Sequence, residues 1–76
     1  MEIMREAKYG REGNDCWITD YCCIVRLDRD LYVLIMTNTV QGGWTGNIKS
    51  TTTKEFDNFD EADACLFSIC EKWRRS

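Results

Sequence analysis

The sequence contains no histidine and no proline. Without histidine, the commonest general base is missing, and so is the partner that activates a serine or cysteine nucleophile. Paired carboxylates are the remaining route to acid–base chemistry. Here Asp60, Glu61 and Asp63 open a predicted helix, where carboxylates already have a structural role. A chain of 76 residues also has little room for an enclosed pocket. The expectation is a protein that is not an enzyme and uses no cofactor. Without proline, strands run unbroken, and turns fall to Gly, Asn and Asp.

Other shortages narrow the class further. No apolar run approaches the roughly 20 residues of a membrane-crossing helix. The first eight residues are charged throughout, with no apolar stretch of the kind a signal peptide needs, so a cytoplasmic location is expected. Basic residues are in deficit: 13 Asp and Glu against 10 Lys and Arg, a net charge of −3. Nucleic-acid binders gain affinity by neutralising phosphates with Lys and Arg, so no direct contact with nucleic acid is expected. A partner with a basic surface is the natural complement.

Five cysteines stand at positions 16, 22, 23, 65 and 70. Structural zinc sites want ligand pairs two to four residues apart on a turn. Cys22 and Cys23 are adjacent in a predicted strand and point to opposite faces. Cys65 and Cys70 lie about 140° apart around a helix. Neither pair grips one ion, so no metal is expected. In a reducing compartment the five are free thiols acting as small hydrophobes. Cys70, late on the last helix, is the candidate for a disulfide between two copies.

Two glycine clusters, Gly10/Gly13 and Gly42/Gly43/Gly46, divide the chain. Residues 2–9 fit a helix or a strand; a strand hairpinned to the next segment is preferred, with Gly10 to Asp15 as the turn. Residues 16–28 alternate cleanly. Tyr21, Cys23, Val25 and Leu27 form a wholly apolar set, expected to face the helix, and Cys22, Ile24, Arg26 and Asp28 point the other way. Asp28-Arg29-Asp30 is a loop of hairpin length. Residues 31–39 are β-branched and aromatic, apolar on both faces, as in the middle of a sheet. Tyr32, Leu34 and Met36, with Ile24, are the expected uncovered patch. A glycine-rich turn carrying Trp44 follows. Residues 48–56, rich in threonine and lysine, read as an edge strand.

The last element is the best specified. Asn58 is placed as N-cap, with Glu61 three residues on. Phe59, Ala62, Leu66, Ile69 and Trp73 recur at helical spacing as one stripe. Acids precede bases along the helix, in the order that complements its dipole. Together these elements give an α+β domain over 1–76: an antiparallel meander of three or four strands with one C-terminal helix packed on it. An αβββα order is the alternative, and that order resembles a double-stranded-RNA-binding domain, without the basic loops of that family.

Two surfaces stand out for contact. From Glu55 to Asp63 the chain holds five carboxylates and no base. Asp57, Asp60, Glu61 and Asp63 are the candidate acidic contact, extended by Asp28 and Asp30 if that loop lies near the helix start. Tyr32 and Trp44 are the candidate aromatic anchors.

In size, acidity and element order the chain resembles the small phage-encoded inhibitors called anti-CRISPR proteins. That resemblance implies a non-enzymatic, protein-binding inhibitor in the host cytoplasm. Its partner would be a Cas effector subunit, and it would block target DNA access or nuclease recruitment. The alternative is a small homodimeric structural or regulatory module without inhibitor activity.

Overall fold

The computed structural model describes residues 2–42 and 46–75. Four long strands come first: β1 (Glu2–Gly13), β2 (Cys16–Asp28), β3 (Leu31–Gln41) and β4 (Ile48–Phe56). They lie in the order β1-β2-β3-β4, each antiparallel to its neighbour. One helix, α1 (Phe59–Arg75), closes the chain and packs on one face of the sheet. The architecture is α+β, a four-stranded meander with a C-terminal helix. The αβββα alternative falls because the first segment is an edge strand: its residues bond to β2 along their length.

The first hairpin is longer and tighter than expected. Gly10 to Gly13 belong to the strand, and only Asn14-Asp15 turn the chain, with Gly13 paired to Cys16. Asp15 takes the left-handed backbone conformation (φ 59°), one that Asn and Asp tolerate better than most residues. The glycine at position 10 serves the sheet surface. A side chain there would meet Trp17, whose ring passes 2.8 Å from where a Cβ would sit.

The helix selects the face of the sheet, and the selection corrects the sequence reading. Cys22, Ile24 and Leu34 lie beneath α1, against Ala62 and Leu66, with Tyr32, Met36, Phe56, Phe59, Ile69 and Trp73 around them. Tyr21, Cys23 and Val25 belong to the sheet's other side, and Leu27 falls in a break of the pairing and is exposed. The apolar set expected beneath the helix therefore lies away from it, and Tyr32, Leu34, Met36 and Ile24 are covered rather than exposed. The reason is length. A 17-residue helix spans about 25 Å, and strands of 11 to 13 residues reach roughly 36–43 Å. Only the middle of the covered face must be apolar, so Asp20 and Arg26 stand at its ends on the same strand face as Cys22 and Ile24.

The molecule is a thin slab, 44 × 24 × 15 Å between its outer Cα positions. Its main core cluster is one layer of side chains between sheet and helix, and Cys23 and Val25 are buried on the opposite face of the sheet. Beyond the helix end, Ile18, Val40 and Ile48 form a further cross-strand row on the same face.

Two register shifts bend the sheet at one end. Met4 is skipped between Ile3 and Arg5 in β1, and Leu27 between Arg26 and Asp28 in β2. Such bulges turn side chains away from the regular alternation. Both skipped residues are exposed.

Candidate functional site

The β2–β3 turn and the start of α1 lie at the same end of the slab. Phe56, the last residue of β4, pairs with Tyr32, and Tyr32 follows the Asp28–Leu31 pair that closes the turn. Asp28, Asp30, Asp57, Asp60 and Glu61 are all exposed there. The Asp28–Asp30 turn and the acidic start of α1 therefore share one end of the sheet. Arg26 and Arg29 share this end, so the carboxylates dominate but are not alone.

Local chemistry holds these carboxylates in place. Asn58 Oδ1 accepts the backbone N–H of Glu61 at 2.9 Å, satisfying a donor that the first helical turn leaves open. Asp28 Oδ1 accepts the backbone N–H of Arg29 at 2.7 Å, which shapes the turn. Asp63 behaves differently from its neighbours. Its Oδ1 lies 2.6 Å from Arg5 Nη1, so its charge is spent inside the molecule, on β1.

The same end carries exposed apolar side chains: Ile3 and Met4, not expected as contacts, and Leu27, expected to face the helix. For Met4 and Leu27 the signal is a break in alternation, visible only once the pairing shows that they are skipped; Ile3 is paired with Val25. The sites expected from sequence divide accordingly. Asp57, Asp60 and Glu61 come together on the surface. Asp63 is half-buried and paired. Tyr32 is half-buried under the helix, edge-on to Phe59 with ring centroids 6.1 Å apart. Trp44 lies outside the described residues. Cys70 is half-buried against the core, in the cluster that holds Cys22 and Cys65.

Burial holds Cys22 in its neutral form: with its side chain fully enclosed, the thiol pKa is pushed up to about 12. On the helix-free face, Tyr21 donates its hydroxyl to Glu6 Oε2 at 2.6 Å, and this bond, with desolvation, raises the phenol pKa. Among the described residues no group of three or more Cys, Asp or Glu is arranged to hold a metal ion.

A shallow cleft of about 150 Å³ opens where the sheet outruns the helix, lined by Asp20, Met36, Asn38, Ser50, Ile69 and Trp73. Asp20 bonds to Arg11 through one oxygen and accepts Asn38 Nδ2 at 2.6 Å through the other. Both carboxylate oxygens are engaged in bracing three strands, so Asp20 works as a structural tie.

Comparison with protein-family models, with curated proteins and with solved structures found no match to the chain. No helix among the described residues is long and apolar enough to cross a membrane.

Proposed function

We propose that the protein is a non-enzymatic inhibitor that acts by binding another protein, in the cytoplasm, through its acidic end. One observation carries this reading: two acidic segments far apart in sequence stand at the same end of the slab as exposed Ile3, Met4 and Leu27. Apolar residues supply desolvation energy at a contact. Surrounding carboxylates steer a basic partner into register and reject acidic ones. Asp57, Asp60 and Glu61 are the charged contacts, and Leu27 is the apolar anchor.

The partner class that fits is a protein with a basic groove, and a nucleic-acid-binding machine has one. A Cas effector subunit is the specific case. There the carboxylates occupy the groove that target DNA needs, which is the anti-CRISPR mode. The experiment is expression of the protein in cells with active CRISPR interference, scored by survival of a targeted plasmid. Survival restored by wild-type protein, and lost with Asp57, Asp60 and Glu61 changed to Lys, supports the reading. Undiminished interference in the presence of folded wild-type protein contradicts the Cas assignment.

A further inference from the structure

The two edges of the sheet differ in a way that bears on self-association. β1 is interrupted by its bulge at Met4, and charges crowd its length at Arg5, Glu6, Lys8, Arg11 and Glu12. These features blunt an edge. β4 carries charges too, at Lys49, Lys54 and Glu55, but no bulge interrupts it. Its nine residues pair with β3 in one unbroken register, and all but Phe56 are exposed. A regular edge of this length presents a row of backbone N–H and C=O groups to any strand of matching sequence.

The matching sequence is its own reverse. Set antiparallel to a second copy with Thr52 opposite Thr52, β4 places Lys49 opposite Glu55 and Ile48 opposite Phe56, each twice. Thr51 falls opposite Thr53, and Ser50 opposite Lys54. Opposite-charge and apolar cross-strand pairs are the stabilising kinds. Residues directly opposite share a face. The two Lys–Glu pairs therefore lie on the helix-free side, where Glu55 sits beside Val33. The Ile–Phe pairs lie on the helix side, where Phe56 already packs against the core and Ile48 is half exposed. Register is also specified. A slip of one residue sets Lys49 opposite Lys54 or Phe56, losing the charge match.

We propose that β4 is a homodimerisation edge. Two copies join antiparallel about a two-fold axis at Thr52, and their sheets become one continuous sheet with both helices on the same side. This does not depend on the identity of any other partner.

Sedimentation equilibrium over a range of protein concentrations, with reductant throughout so that no bridge through Cys70 contributes, tests it. The wild-type mass should rise from 8.9 kDa toward twice that value. Lys49→Glu alone, or Glu55→Lys alone, sets like charges opposite each other twice and should weaken the dimer about tenfold or more. The double exchange K49E/E55K restores opposite charges and should recover the wild-type dissociation constant. Circular dichroism confirms that each variant is folded. A wild-type mass of one chain at every concentration overturns the proposal. So does a dimer indifferent to the single changes, or a double variant no tighter than the singles.

Discussion

Arg5 reaches from the edge strand β1 to Asp63 on α1, with Nη1 and Oδ1 2.6 Å apart. The same guanidinium lies over the Phe59 ring, 5.8 Å from its centroid. One side chain thus fastens the first turns of the helix to the strand farthest from it in sequence, and removes one carboxylate from the acidic end. Because Arg5 is exposed and Asp63 only partly buried, solvent screens the ion pair and it is worth about 0–1 kcal/mol. Asp63→Ala should lower stability by no more than about that amount and leave partner binding intact. Urea titration and a binding assay on the same variant check both halves.

The N-cap carries a larger local effect. Asn58→Ala leaves the Glu61 N–H without its 2.9 Å acceptor and should cost about 1 kcal/mol. Asn58→Asp keeps an acceptor and should cost much less. Chemical denaturation of the two variants side by side separates loss of the cap from a general intolerance at this position.

Trp73 stacks on Tyr9, with ring centroids 6.1 Å apart and planes 16° from parallel. This contact ties the last turn of α1 to β1, as Arg5 ties the first. Trp73→Ala removes the stack together with part of the wall of the Asp20–Asn38 cleft. The expected loss is about 2–4 kcal/mol, toward the lower part of the range for aromatic truncation because the site is only half-buried. Amide exchange in residues 69–75 should accelerate more than in the first turns of the helix.

How much of this was legible in the sequence follows from which forces act locally. The helix, its cap and its stripe of Phe59, Ala62, Leu66, Ile69 and Trp73 were readable, because period and capping are short-range properties. All five stripe residues lie in the core cluster. The hairpin at Arg29-Asp30 was readable from the polar break between two apolar runs. Which face of β2 meets the helix was not. Alternation yields two sets, and apolarity favoured the wrong one. Cys23 and Val25 are nearly as buried as Cys22 and Ile24, enclosed by side chains of the strands themselves. The departure of Met4 and Leu27 from the strand pairing depends on two bulges, and register shifts have no short-range signature here.

Alkaline pH provides a test of the core. The Cys22 thiol has a folded-state pKa of about 12 against an ordinary 9.0, so the fold favours the protonated form. Its contribution is fully present below pH 9.0 and is lost as pH rises toward 12. Tyr21 is shifted in the same direction by its bond to Glu6 and by desolvation, so the two effects add in sign. The melting temperature should therefore fall as pH increases above about 9. In Cys22→Ala the remaining fall should be shallower, although the variant is less stable at neutral pH.

The central claim is that this chain works through the acidic and apolar end of its outer surface. Quantitative affinity capture from lysate of cells that express the protein tests it most directly, comparing wild type with a variant carrying Asp57, Asp60 and Glu61 as Lys and with Asp63→Ala. The expected result is a specific protein partner retained by wild type and by Asp63→Ala, and lost from the triple variant. Equal recovery of that partner by the triple variant, shown to be folded, would contradict the account.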